Sequence, residues 1–323
     1  MARPRSTGST GRSAVAEPVA LAVLALDALA GWPRALYARV GHPVGSFARV
    51  IGAMERRWNK PAGPDRRRRL LGGVAMAVLV GGTVVTCTLV EHVARAMLGG
   101  WWWVGVALAA WPALAQRSLF DHVRAVADAP DLAAARRAVA MIVGRDVDIL
   151  DEAGVARAAV ESLAESFCDG VVAPLFWLLA FGLPGVWAYK AINTADSLIG
   201  HREERWRAFG WAAARMDDVA NWIPARIAGP ILCLAGAGGW RVLRRDRRVH
   251  ASPNAGWPEA AMAGALGIAL AGPVAYDGVM QNKPWIGGEG RPATAGDLRR
   301  ALTVYLRACA ILWLIAGGIA WAR

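Results

Sequence analysis

The chain has 323 residues, 55% of them hydrophobic and 16 of them tryptophan, with a mean hydropathy of +0.31 and a formal net charge of +12. This composition excludes a disordered chain or an ordinary soluble domain and places the protein in lipid. The positive charge sits mainly in two short arginine-rich segments, Arg66 to Arg69 and Arg241 to Arg248; with no basic and aromatic nucleic-acid module present, they read as cytoplasmic loops facing anionic headgroups, and nucleic acid is excluded as a partner.

Residues 1–17 are rich in Arg, Ser and Gly without periodicity and are expected to be a disordered basic tail. Arg3, Arg5 and Arg12 ahead of an apolar run imitate a signal peptide, but Asp27 interrupts the run and no small-residue cleavage site follows, so the segment is expected to be retained. Pro18 to Leu36 is short for a span and broken by Asp27, Gly31 and Pro33, which suits a tilted or interfacial segment. Val40 to Trp58 reads as amphipathic, and Asn59 to Arg69 as an arginine-rich loop. Leu70 to Val90 is an uncharged run of the roughly 20 residues that a hydrocarbon core about 30 Å thick requires. Trp101 to Leu119 is the predicted return, with Trp101, Trp102 and Trp103 at the interface.

From Asp121 to Asp169 the pattern is that of an extramembrane amphipathic helix pair, broken near Pro130 and Gly144. Val171 to Tyr189 is apolar again, but Pro174 and Gly182-Leu-Pro-Gly185 predict two half-helices, with re-entrant geometry open. Ile223 to Trp240, Trp257 to Tyr276 and Leu302 to Trp321 are the remaining predicted spans. The fold class is therefore all-α: a polytopic integral membrane protein, one helical membrane domain over 18–323, with a helical polar cluster at its cytoplasmic face. One conflict remains in this scheme. If the segments on both sides of 190–222 cross fully, Arg202, Arg205, Arg207 and Arg215 lie outside, against the positive-inside bias, so at least one flank is expected to be re-entrant.

Cys87, Cys168, Cys233 and Cys309 lie far apart without a C-x-x-C pair and read as small buried hydrophobes. The chemistry-bearing residues fall in three stripes. Glu161, Glu165 and Asp169 recur every four residues and share one helix face. On a solvated face such acids mean little; here they have no basic partner at matching spacing and apolar sequence begins at Val171, so a divalent cation would relieve their repulsion. Lys190, Asn193, Ser197 and His201, with Asp196 beside them, form a second stripe that suits a cavity wall or an interfacial helix with a snorkelling lysine. Asp217 and Asn221, one turn apart with Asp218 adjacent, offer oxygen ligands of the kind magnesium accepts beside a phosphate, and Arg215 and Arg226 could grip phosphate oxygens; an exposed capping segment is the plain alternative. No phosphate-binding loop, dinucleotide fingerprint, zinc-protease motif or nucleophile elbow is present.

The runs Val160-Glu-Ser-Leu-Ala-Glu-Ser-Phe-Cys-Asp169, Ala173-Pro-Leu-Phe-Trp177, Tyr189-Lys-Ala-Ile-Asn-Thr-Ala-Asp-Ser197, Gly200-His201, Ala214-Arg-Met-Asp-Asp218 and Asn221-Trp-Ile-Pro-Ala-Arg226 resemble the CobD/CbiB family of cobalamin biosynthesis. His42-Pro-Val44, Gly144-Arg-Asp146 and Ser252-Pro-Asn-Ala-Gly256 match further blocks in the same order, so the resemblance covers nearly the whole chain after residue 17. Ser166, Leu198 and Trp206 stand where the family pattern has asparagine, methionine and tyrosine. The resemblance implies an adenosylcobinamide-phosphate synthase of the cell (inner or plasma) membrane, multi-pass, that uses ATP and Mg2+ to join a propionate of adenosylcobyric acid to aminopropanol or aminopropanol phosphate. It further implies that Asp217, Asp218 and Asn221 hold magnesium and nucleotide phosphates. Lys190, Arg215 and Arg226 would neutralise charge, with Asn193 and Ser197 on the cofactor side. Glu161, Glu165 or Asp169 would hold a second metal or the amine, and His201 would act as general base. A second copy of the chain or later enzymes of the pathway are open as protein partners, beside membrane lipid. A magnesium-dependent intramembrane prenyltransferase and a corrinoid transporter are the competing readings, because aspartate and asparagine on membrane helices also suit diphosphate binding and ionisable residues within a membrane also suit a permeation path.

Overall fold

The structure is a computed structural model that describes residues 17–276 and 278–322. The expected tail lies outside the described residues except for Glu17, which opens the first helix. Helix α1 (Glu17–Ala30) meets α2 (Arg34–Val40) and α3 (Val44–Trp58) at a bend of 101°. Gly31, at φ +53°, and Pro33 make the break, as the sequence suggests.

The longest helix is α4 (Asp65–Leu98), 34 residues with Leu70, Val78, Val85 and Leu89 exposed along it for lipid. It contains the predicted span but starts earlier than expected, so Arg66 to Arg69 form its first turns instead of a loop. The reason is Arg68, which is buried: its Nε donates to Asn59 Oδ1 at 2.8 Å and its guanidinium also reaches the carbonyls of Glu204 and Arg205. That guanidinium ties the α3–α4 turn to residues 204–205. The predicted return span is likewise divided, into α5 (Trp102–Ala110), a tight turn at Trp111–Ala113 around Pro112, and α6 (Gln116–Ala127). Backbone freed at this break is re-satisfied by neighbours, as lipid demands: Ala115 N donates to Gly170 O at 3.0 Å, and Gln116 O accepts from Tyr305 Oη at 2.8 Å.

Helix α7 (Leu132–Val139) is short and capped by Asp131. Helix α8 (Glu152–Phe167), capped by Asp151 accepting from Gly154 N at 2.7 Å, departs most from expectation. It is no surface helix: Ala158, Ala159, Val160, Leu163, Ala164 and Phe167 are fully buried, and it forms the centre of the bundle. Small alanines that read as a weakly amphipathic soluble face here let neighbouring helices approach closely. Through a π-turn at Cys168–Val172 it runs into α9 (Ala173–Ile199), giving a 48-residue stretch apolar enough to cross a membrane. Helix α9 is broken at Phe181 and Gly182 (φ +65°), with Pro184 following, so the predicted pair of half-helices is present.

After the single turn α10 (Glu204–Arg207) come α11 (Trp211–Ala220), α12 (Trp222–Ala235), α13 (Trp240–Asp246) and α14 (Gly256–Leu266). At 14 and 11 residues, α12 and α14 are too short to cross, which corrects the spans expected at Ile223 to Trp240 and Trp257 to Tyr276. Gly267, at φ +68°, ends α14. The chain then forms β1 (Leu270–Ala271), β2 (Val274–Tyr276), β3 (Val279–Gln281) and β4 (Trp285–Ile286), paired β1 with β4 and β2 with β3, all antiparallel. Helix α15 (Ala295–Trp321), started by a Thr294/Asp297 capping box, contains the last predicted span.

Among the described residues three helical stretches, or four counting the bent pair α1–α3, are long and apolar enough to cross a membrane, and the protein is a multi-pass helical membrane protein. The topological conflict also resolves. Arg205 pairs with Glu55 at 3.0 Å, Arg207 with Asp65 at 3.6 Å, and Phe209 O lies so close to Gly72 that a side chain there would collide with it. The arginines of 202–215 therefore share one end of the bundle with Arg66 to Arg69. They return there because α9 is broken and α12 is short.

Candidate functional site

The three polar stripes converge. Asn193, on α9, donates from one Nδ2 to Asp169 Oδ2 at 3.1 Å and lies 3.3 Å from Asp217 Oδ1, joining the α8–α9 turn to α11. Asn221, at the α11–α12 junction, donates to Asp217 Oδ2 at 3.1 Å and accepts from Tyr189 Oη at 3.0 Å. The π-turn explains the position of Asp169: one extra residue per turn rotates it off the α8 face toward α9 and α11, a common use of such turns at functional sites.

Around this junction are two connected chambers. An acid chamber of about 560 Å³ is lined by Glu161, Glu165, Asp169 and Glu259, faced by Arg145, Lys283 and His201. A wider vestibule of about 1080 Å³ is lined by Arg202, Arg215, Arg226, Arg247 and Arg248 together with Asp217 and Asp218. Asp196, Gly200 and His250 line both.

Within the acid chamber Glu161 is fully engaged, with Arg145 Nη2 at 2.5 Å, Arg157 Nε at 3.9 Å and the Ala271 N–H at 2.6 Å. Glu165 is exposed to the chamber, and among the described residues nothing donates to it. His201 is exposed; its Nε2 lies 3.0 Å from Ser197 O, and since a carbonyl only accepts, that nitrogen carries the proton and Nδ1 holds the free lone pair. The Ser197 hydroxyl donates back to Asn193 O at 2.9 Å. Lys190 lines neither chamber; it stands behind the junction, within electrostatic reach of Asp169 and Asp217.

In the vestibule Arg215 pairs with Asp218 at 3.0 Å, while Arg226 donates to Asn254 Oδ1 at 3.1 Å and lies over Trp222 and Trp257. Arg247 also lies over Trp257, and its buried Nε has no partner among the described residues. Burial pushes the Asp217 carboxyl above the usual range, with Asp218 and Glu165 adding to the rise against the lowering by Asn221 and Asn193. Burial also raises Asp218, opposed by Arg215 and Arg202. Carboxylates held where ionisation is costly, next to arginines, are the kind of arrangement found at functional sites.

The residues suit magnesium and phosphate in part. Among the described residues no three histidine, cysteine or acidic side chains converge to enclose an ion by themselves. The donor set is all oxygen, and magnesium binds through one or two carboxylates while retaining water and phosphate ligands, for which Asp169 and Asp217 on either side of Asn193 are placed. Of the other expected ligands, Glu161 is held by Arg145, Asp218 by Arg215, and Asn221 braces Asp217 with both ends of its amide occupied.

Sequence reasoning did not single out Arg145, Arg202, Arg247, Arg248, His250, Glu259 or Lys283. Arg247 and Arg248 were absorbed into a lipid-facing cluster. Glu259 sat in a predicted span, where a lone acid with no snorkelling reach was itself a signal.

Residues 19–305 match the family model described as CobD/Cbib protein. The chain belongs to this family. Curated relatives include the Cobalamin biosynthesis protein CobD of Rhodobacter capsulatus, 50% identical over 306 residues that cover 92% of this chain and 95% of the relative. The protein of the same name from Sinorhizobium fredii is 46% identical over 308 residues, 91% and 94% of the two chains. That of Brucella suis is 44% identical over 309 residues, 87% and 90%. No solved structure matches. Membership places this helical membrane protein in a cobalamin-biosynthesis family, and the converging stripes are its candidate active site.

Proposed function

We propose that the chain is a biosynthetic ligase, an adenosylcobinamide-phosphate synthase that forms an amide between a propionate of adenosylcobyric acid and aminopropanol or aminopropanol phosphate with ATP. The observation that carries this reading is the pairing of an acid-lined chamber with an arginine-lined one, meeting at Asp196 and His250. A ligase that activates a carboxylate with ATP needs a polyanion and a cationic amine bound side by side, and opposite linings meet that need.

On this reading Arg215, Arg226 and Arg247 receive the phosphates, with Asp217 and Asp169 holding magnesium, which when bound draws charge off the phosphate oxygens. The propionate oxygen takes the terminal phosphoryl group of ATP, releasing ADP and leaving an acyl phosphate. The amine nitrogen then attacks the acyl carbon, the C–N bond forms as the C–O bond to phosphate breaks, and phosphate departs with the electron pair. His201 Nδ1 accepts the proton lost from nitrogen. The arginine-rich end common to 66–69 and 202–215 would face the cytoplasm, where ATP is. Incubating membranes that contain the protein with adenosylcobyric acid, ATP, magnesium and either amine tests the proposal. An ATP-dependent product of amide mass is expected, and failure with both amines overturns it.

A further inference from the structure

The acid chamber carries more negative charge than a phosphate chemistry requires, and its carboxylates are not equivalent. Glu161 spends both oxygens on Arg145 and the Ala271 N–H. Asp169 accepts from Asn193. Glu165 and Glu259 are the two left over. Glu259, on α14, is only 4% exposed, yet it lines the chamber and accepts no hydrogen bond from any described residue; its nearest partner is His250 Nε2 at 3.8 Å. His250 Nδ1 in turn accepts from Ser252 N at 3.0 Å, which fixes the neutral ring with its proton on Nε2, toward Glu259. Lys283 also lines the chamber, its ammonium donating to Tyr276 Oη at 3.1 Å.

A carboxylate nine-tenths buried without a donor is costly to ionise, and a bound cationic group recovers that cost. An ionised carboxylate only accepts, and a primary ammonium only donates, three times, so the buried Glu259 on α14 and the chamber-exposed Glu165 on the facing helix α8 form a complementary receptor. We infer that Glu259 and Glu165 together bind the ammonium group of the amine donor, in a pocket separate from the arginines that receive phosphate. The inference rests on the ligase reading above and assigns within it what Glu161, Glu165 and Asp169 shared. Glu161 drops out because its oxygens are occupied, and Glu259 enters from a helix that carries none of the three stripes.

The test uses purified full-length protein in lipid nanodiscs, with 1-amino-2-propanol or its phosphate as amine. Glu259→Gln keeps shape and loses charge. The KM for the amine is expected to rise about 30-fold, the size of a charge-assisted hydrogen bond, while the KM for ATP stays within about twofold. An unchanged amine KM in the variant overturns the ammonium site. Absence of amide from the wild-type protein overturns the ligase reading instead, so the two failures are distinct. A second measurement needs no variant: propane-1,2-diol, which puts a hydroxyl where the amine stands, is expected to leave amide formation by the wild-type protein unaffected at 100 times the amine's KM, roughly the discrimination a charged contact supplies. Half-inhibition by the diol near the amine's own KM overturns the inference.

Discussion

The acid chamber and the arginine vestibule share a wall but satisfy their charges differently. In the vestibule several charged groups already have company: Arg215 holds Asp218, Arg226 lies over two indoles and bonds Asn254, and the Asn254 amide donates to Asp218 O at 2.8 Å. In the acid chamber Glu165 and Glu259 face each other's charge with little relief. Burial first, then Glu165 and Glu161, push the Glu259 carboxyl well above its ordinary range, and burial with the charge of Lys283 pushes the His250 imidazole down. A prepared anion site costs the fold little, because arginine stacks on aromatic rings and remains solvated at its rim. A prepared cation site of buried carboxylates is costly until the ligand arrives.

That difference can be broken most forcefully where the chambers meet. Asp217 lines the vestibule and is held by Asn221 and by Asn193, a residue of the acid chamber. Asp217→Asn is expected to lower amide formation about 100-fold at saturating magnesium, the loss typical of removing a group that orients a metal site. Unchanged magnesium-dependent turnover sinks the assignment. Next in size, Arg247→Ala should raise the KM for ATP by about 10- to 100-fold with the amine KM unaltered, since its unpartnered guanidinium nitrogen is free for a phosphate oxygen. Equal changes in both constants would show that the two chambers are one.

The contrast in cost is sharpened by Glu259→Gln measured as stability. A carboxyl whose folded pKa is raised binds its proton more tightly folded than unfolded. Its contribution is therefore present below the ordinary glutamate range and is lost as pH rises through the raised value. Glutamine cannot ionise, so the variant should melt about 2 to 4 °C above the wild type at pH 8 and coincide with it near the ordinary glutamate value. A variant that melts below the wild type at pH 8 contradicts the view that this acid is kept at the fold's expense.

How much of this was legible in the sequence follows the same division. Helix α4, the break at Gly182 to Gly185, α15 and the polar stripes that carry Asn193, Asp217 and Asn221 could be read, because each rests on a local signal: an uncharged run, a Gly-Pro break, acids and amides one turn apart. What could not be read depended on distant partners. Arg68 looks like a loop arginine until the carbonyls of Glu204 and Arg205 are placed beside it. Helix α8 looks soluble because alanine is neutral about its surroundings, and only close packing reveals it as the centre. The segment 257–276 is apolar enough to resemble a span, but Gly267, Gly272 and Pro273 break it, and its backbone is satisfied by strands and by the loop at 144–146, where Asp146 N donates to Ala275 O at 3.0 Å. Glu259 was hidden inside that misread segment.

The smallest expected effect concerns two residues on one stripe, Asn193 and Ser197, which helical spacing alone makes equivalent. Asn193 bridges Asp169 and Asp217 through its amide, whereas the Ser197 hydroxyl donates to a carbonyl one turn back in its own helix. Such a bond adds little to a helix whose carbonyl is already engaged by the backbone. Ser197→Ala should therefore change turnover and the KM for ATP by less than about threefold, within the range of substitutions that disturb no special feature. Asn193→Ala, made beside it, removes the amide that separates two carboxylates and should reduce turnover far more. If the serine variant loses as much as the asparagine variant, its hydroxyl turns toward a ligand during catalysis, and the stripe acts as the helix periodicity first suggested.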